Sequence, residues 1–211
     1  NRAWLGAYET ARLYGAPCAP RGKKIRELEQ HTLAIDLNNP LITVADRKLN
    51  YRFLAAEAAW ILSGRNDLGY LTTFNPRMAE FSDNGRSLAG AYGPRIASQV
   101  DYVVGKLAAD RDTRQATLAI WTPNPSASRD LPCTVAMDFK IRHDRLNAHV
   151  FMRSSDIWLG VPYDVFSFAM VASYIAAGYR ACCAPAKLGL GTLYLTAASM
   201  HIYEEHWDAL P

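Results

Sequence analysis

The sequence predicts an α+β fold built around one mixed sheet. Three observations predict it. Apolar residues alternate along 134–142 and again along 146–152, which reads as two antiparallel strands joined through His143, Asp144 and Arg145. Helical stripes of apolar residues lie before and after that hairpin, at 2–14, 51–63, 98–110 and 162–180. Helices and strands are mixed along the chain while neighbouring strands run antiparallel, so helices flank a single twisted sheet.

Each element has its own signal. In the first helix Trp4, Leu5, Tyr8, Ala11 and Leu13 share one stripe. GAPCAPRG at 15–22 reads as a Pro/Gly loop. Residues 25–36 read as a strand in which Leu28, Thr32 and Ile35 mix with polar residues. Pro40 and Leu41 lead to the helix at 51–63, which Gly64 closes. The helix at 98–110 is amphipathic, and 116–121 is a short apolar strand. Val135, Met137, Phe139 and Ile141 share one face of the first hairpin strand. The segment 162–180 is so apolar that it must be buried on most sides. A last strand is expected at 190–195, and His201-Ile202-Tyr203 is an extended segment. No repeat, low-complexity tract or linker interrupts the chain, so a single domain over 1–211 is expected.

Composition narrows the function classes. Of 211 residues, 50% are hydrophobic and 20% charged, which excludes a disordered or fibrous chain. Lys plus Arg number 23 against 20 Asp plus Glu, a net charge of +3. That surplus is too small for wrapping nucleic acid, although a few cations can still gather at one anion site. Four cysteines do not make a disulfide framework; Cys18 and Cys133 are solitary and Cys182 and Cys183 are adjacent. Reduced thiols and a cytoplasmic setting are expected. No Cys/His cluster has zinc spacing, so no metal is expected. The first fifteen residues are amphipathic and charged, unlike a signal peptide, and the apolar run at 165–177 is too short to span a bilayer.

Several residues carry chemistry. Cys133, in Leu-Pro-Cys-Thr at the mouth of a strand, is either a small core residue or a nucleophile whose thiol a cation activates. Arg153, one strand away across the hairpin, is the candidate cation. Arg153-Ser154-Ser155-Asp156 leaves that strand and leads to the buried helix; an Arg beside hydroxyls holds oxyanions well. Asp164, in the first turn of that helix, is, taken alone, more simply explained by the positive helix end, and Asp156 by an ordinary structural role. Glu57 stands in a helix of Ala, Leu, Phe and Trp, where a carboxyl group is costly unless its proton is used; a solvated stripe is the other reading. His201 and Tyr203 lie on one side of their segment, as a ligand pair or as sheet-edge polar groups. Arg21, Arg114 and Arg153 are surface charges unless the fold brings them together.

In this order the motifs resemble the thymidylate synthase superfamily, over about 20–206. The matching pieces are PRG at 20–22, EAAW at 57–60, YG at 92–93, DTR at 112–114, LPC at 131–133, RSSDIWLGVPYD at 153–164, HIY at 201–203 and His206. The resemblance implies a homodimer joined through the sheet, with a nucleotide and 5,10-methylenetetrahydrofolate as substrates. It implies that Cys133 adds to carbon 6 of a pyrimidine, which turns carbon 5 into a nucleophile for a one-carbon unit. Glu57 then works with ordered water in proton transfer. Arg21, Arg153 and Ser154 match the phosphate grip, and Arg114 the arginine given to the other subunit's site. His201 and Tyr203 match the sugar-hydroxyl pair, and Tyr92 a member of the active-site hydrogen-bond network. Asp156, Leu159, Gly160 and Tyr163 match the folate side.

The departures from the family pattern choose the reaction. Synthases carry Asn where this chain has Asp164. Asn can accept from N3–H of uracil and donate to its carbonyl at position 4. An aspartate instead accepts from a protonated N3 and the amino group of a cytosine adduct, and resembles the cytidylate hydroxymethylase branch. Thr134 replaces a His, Gln115 replaces a second Arg, and 76–85 carries Met78 and Phe81 but no Trp. The sequence stops at Pro211, where the family's closing tail is expected to be absent. A wetter site would let water attack the exocyclic methylene, giving a hydroxymethyl rather than a methyl group. The expected activity is therefore hydroxymethylation of CMP or dCMP. The rivals are a methylating synthase acting on dUMP or a cytidylate, and a non-catalytic nucleotide-binding relative.

Overall fold

The computed structural model describes residues 1–125, 127–184 and 187–210. Pro211, where the tail was expected to be absent, lies outside them. Along the chain run α1 (Arg2–Tyr14), β1 (Ala16–Cys18), β2 (Ile25–Asp36), α2 (Tyr51–Leu62), α3 (Leu68–Thr72), α4 (Tyr92–Ala97), α5 (Val100–Ala109), β3 (Thr117–Ala119), β4 (Thr134–Arg142), β5 (Arg145–Met152), β6 (Ser155–Asp156), α6 (Val161–Cys182) and β7 (Gly189–Tyr203). The strands form one seven-stranded sheet in the order β1-β2-β7-β5-β4-β3, with β6 paired to β7. The α+β expectation holds.

Local chemistry explains the topology. The β4–β5 hairpin closes over His143 and Asp144, both with positive φ (51° and 57°), so that Arg142 faces Arg145. Two consecutive left-handed residues make the tight turn that matches strand twist. All pairings are antiparallel except those of β7 with β5 and β6. Parallel pairing there follows from the long α6 crossover, which returns the chain to the same end of the sheet.

α6 is the central core element. Val165, Phe168, Ala172, Ile175, Ala176 and Tyr179 are buried, and the helix contacts α2, α5, β5 and β7. At 22 residues it is longer than the apolar run at 165–177 suggested, and by length and composition alone it could cross a membrane. In this fold its apolar stripes pack on protein. The sheet's other face is open in its middle. Leu146, Ala148 and Val150 are buried along β5 while Phe151 is 47% exposed, and Tyr194 of β7 is 37% exposed beside it.

Three expectations are corrected. The loop at 15–22 contains β1, an edge strand paired with β2; Pro17 is tolerated there because an edge position needs no inward N–H. The final strand runs to Tyr203 rather than ending at Leu195, because β2 offers a partner along its whole length. His201 and Tyr203 therefore lie in an interior strand, not at a sheet edge. The strand at 116–121 shortens to 117–119, since the N–H groups of Ile120 and Trp121 both donate to Val135 O and break the ladder.

Candidate active site

Two anchors bracket the segment that carries Cys133. On one side the Gly90 N–H donates to Asp130 Oδ2 at 2.6 Å. A Cβ at Gly90 would lie 2.5 Å from the Asp130 carbonyl oxygen, so only glycine permits this approach. On the other side the Thr134 N–H donates to the Tyr92 hydroxyl at 3.3 Å. The residues 90–92 thus hold the cysteine from both flanks.

Arg153 sits where the sequence placed it. Its Nη2 is 3.7 Å from Cys133 Sγ, and its guanidinium also donates to the carbonyls of Pro132 and Leu131 at 3.0 Å each. Burial pushes the Cys133 thiol up, Arg153 and Arg21 pull it down, and Asp164 and Asp130 raise it. The thiol is thus stored in its protonated form beside the cation that would stabilise the thiolate.

Glu57 and Asp164 are two further buried carboxyl groups near the cysteine. Asn50 caps α2 by accepting from the Phe53 N–H at 3.1 Å, and its own N–H donates to the Tyr163 hydroxyl at 3.2 Å. That tie fixes α2 against the start of α6. Glu57 lies on the inner face of α2, which rejects the solvated-stripe reading. Burial and the nearby Asp164 push its carboxyl up to about 8. Asp164 is pushed up to about 7 by burial and by Asp156. Its Oδ2 leans back over Gly160, where a Cβ would stand 3.3 Å away. Burial outweighs the helix N-terminus, which alone would favour the ionised form. Tyr92, raised by burial and by the charges of Asp164 and Cys133, stays protonated and stacks on Phe168 at 6.2 Å.

These values carry a pH prediction. Between about pH 4.5 and 8 the folded protein holds a proton on Glu57 that the unfolded chain has lost. Stability therefore falls as pH rises through that window and is level above it. Glu57→Gln removes the Glu57 share of the slope, leaving that of Asp164 below about pH 7, and should stabilise the ligand-free protein at pH 8.5 by roughly 2–4 kcal/mol, with little effect at pH 4.5. Denaturant titrations at both pH values test this; the same difference at both would refute it.

A cavity of about 610 Å³ is lined by Cys18, Pro20, Arg21, Ile25, Glu27, Arg153, Ser154, Ser199, His201 and Tyr203. Five predicted residues thus meet: Arg21, Arg153 and Ser154 supply anion-binding groups, and His201 and Tyr203 meet edge to face at 5.2 Å. Arg153 joins this cavity to Cys133. His201 Nδ1 is buried without a hydrogen-bond partner among the described residues, as are the hydroxyls of Thr134, Ser155 and Ser167. Arg114 is exposed between α5 and β3 and does not line the cavity.

Asp156, Leu159, Gly160 and Tyr163 gather at the start of α6. Asp156 Oδ1 accepts from the N–H groups of Trp158 and Leu159 at 2.8 and 2.9 Å. Burial nevertheless raises its carboxyl. Sequence reasoning missed Arg47 here. Its Nε donates to Trp158 O at 2.5 Å, and its guanidinium lies 5.4 and 5.7 Å from the Trp158 and Tyr163 rings. Asp46-Arg47-Lys48 looks like an ordinary charge run, so no local signal marked it. Glu27 was also missed, although its place one strand from His201 follows once β2 and β7 are paired. Among the described residues, no three His, Cys, Asp or Glu side chains gather as metal ligands.

A family model described as thymidylate synthase matches residues 11–211. The chain belongs to the thymidylate synthase family. Within the family it is 30% identical over 218 residues to the deoxyuridylate hydroxymethyltransferase of Bacillus phage SP01, covering 92% of this chain and 55% of the relative. It is 32% identical over 171 residues to the deoxyuridylate hydroxymethyltransferase of Pseudomonas phage M6, covering 76% of this chain and 47% of that one. The chain spans about half the length of these curated relatives.

Proposed function

We propose that this protein is a cytidylate 5-hydroxymethyltransferase. It takes CMP or dCMP, 5,10-methylenetetrahydrofolate and water, and gives the 5-hydroxymethyl nucleotide and tetrahydrofolate. Hydroxymethyl transfer is supported by the kinship with hydroxymethyltransferases. The cytosine preference is carried by one observation, the buried carboxyl of Asp164 within the electrostatic reach of Cys133.

The residues divide the work as follows. Arg21, Arg153 and Ser154 bind the phosphate, and His201 and Tyr203 the sugar. Cys133 adds to carbon 6 of the ring. Asp164 accepts from N3–H and the amino group of the adduct, and the two charge-assisted bonds favour the state in which the ring has been activated. Glu57, protonated at neutral pH, gives and takes protons through water. The start of α6 fits the folate: it offers an acid at Asp156, aromatic faces at Trp158 and Tyr163, and a buried cation at Arg47 for the acidic tail. When bound there, methylenetetrahydrofolate supplies a one-carbon unit at the oxidation level of formaldehyde.

The open sheet face around Phe151 and Tyr194 takes a second copy of the chain, and Arg114, away from its own cavity, completes the partner's phosphate site. Sedimentation should give twice the chain mass; a fully active monomer would contradict it. A second reading, deoxyuridylate as substrate, is favoured by the relatives' activity. CMP, dCMP, UMP and dUMP tested in turn, with product mass recorded, decide between them. A hydroxymethyl gain on cytosine nucleotides supports the proposal. Gain on uracil alone, or accumulating dihydrofolate, overturns it.

A further inference from the structure

Glu27 is out of place in an anion-binding cavity. The cavity holds Arg21 and Arg153 for a phosphate, yet a carboxyl group lines the same wall. Glu27 and His201 are direct cross-strand partners on β2 and β7. Such pairs share a sheet face with Cβ atoms about 4.5–5.5 Å apart. Among the described residues the hydrogen-bond partner of Glu27 is the Cys18 thiol, at 3.8 Å, a weak donor. Beside it, His201 is only 6% exposed and its Nδ1 has no partner. One wall thus presents an under-used acceptor and an orphaned ring nitrogen, at the end of the cavity where His201 and Tyr203 would meet a sugar.

A deoxyribose offers one secondary hydroxyl there, which His201 and Tyr203 suffice to bind. It would leave Glu27 without a donor and close to a phosphate dianion, an unfavourable arrangement. A ribose brings a second, adjacent hydroxyl, and a carboxyl group is a strong acceptor for it. The 2′-hydroxyl is the group by which a protein distinguishes ribose from deoxyribose. We propose that Glu27 reads the ribose 2′-hydroxyl and makes this site selective for ribonucleoside monophosphates, CMP over dCMP. This deepens the cytidylate reading and rests on its placement of the nucleotide.

The test compares ribose with deoxyribose while holding the base constant. Wild-type kcat/KM should favour CMP over dCMP by roughly 10- to 100-fold, the cost of one unpaired, half-buried charged acceptor. Glu27→Ala should bring the ratio below ~3, chiefly by losing CMP, and Glu27→Gln, which keeps an acceptor, should fall between. Calorimetric Kd values for the two nucleotides without folate should follow the same order. A wild-type ratio near 1 or in favour of dCMP overturns the proposal, whether or not any variant folds. So does a Glu27→Ala protein that weakens both nucleotides equally, since Glu27 would then only support His201. The UMP and dUMP pair gives the same ribose comparison should the base prove to be uracil, so failure of the cytosine reading is seen separately.

Discussion

Asp164→Asn should reverse the base preference. In the proposed reaction the wild-type carboxylate satisfies a cytosine adduct that carries hydrogen at N3 and on the amino group. Against uracil it meets the carbonyl oxygen at position 4 with no donor to offer. Each such mismatch costs about 1–3 kcal/mol, or ~5- to 150-fold. An amide at the same place donates to that carbonyl and accepts from N3–H, so it gains with uracil what it loses with cytosine. The ratio of kcat/KM for CMP over UMP should therefore move by roughly 25-fold to 2 × 10⁴-fold, the two mismatches multiplied. Competition assays with both nucleotides in one reaction read this ratio directly. An unchanged ratio would remove Asp164 from base recognition.

The same residue gives the wild-type protein a pH signature. Asp164 is held near 7, by burial and by Asp156. Above that pH it is ionised and can only accept. Below it the neutral acid carries an O–H that can donate to the uracil carbonyl while its other oxygen accepts from N3–H, much as the amide does. Discrimination against uracil should then weaken between pH 8 and 6 and stay flat in Asp164→Asn.

Much of this site was legible because its chemistry is concentrated in short runs. Arg153-Ser154 leaves β5 directly into the cavity, and Asp156, Gly160 and Asp164 follow within a dozen residues, so local order carried the spatial order. The α6 core and the hairpin were legible from period alone. What stayed hidden depends on pairing between distant strands. Whether Glu57 faced inward could not be read from its helix, since Ala on every side blurs the apolar stripe. Glu27 was invisible until β2 paired with the second half of β7, where Ala197-Ala198-Ser199 interrupts the apolar alternation. Arg47 is buried by Trp158 and Tyr163, more than a hundred residues away in sequence. The Gly90–Asp130 approach likewise depends on two loops meeting, and neither loop has a periodic pattern to predict it.

Cys133→Ala should abolish turnover while leaving nucleotide binding nearly intact. Removing a covalent nucleophile whose partners cannot substitute for it costs roughly 10⁴-fold or more in kcat. The binding groups lie elsewhere: Arg21, Arg153, Ser154, His201 and Tyr203 line the cavity without the sulfur. Arg153 keeps its anchors on the Pro132 and Leu131 carbonyls, so its guanidinium stays in place. Nucleotide Kd should change by less than ~3-fold, since a 3.7 Å contact to a neutral thiol contributes little. Cys133→Ser should be nearly as inactive, because burial and the acids Asp164 and Asp130, which already raise the thiol, oppose an alkoxide far more strongly. In the wild-type protein, iodoacetamide should label Cys133 faster as pH rises, as a thiol raised by burial requires, and bound CMP should protect it. Turnover surviving in Cys133→Ala would leave the fold as a nucleotide-binding frame whose chemistry lies elsewhere. Loss of turnover together with loss of binding would instead mean that the sulfur holds Arg153 in place.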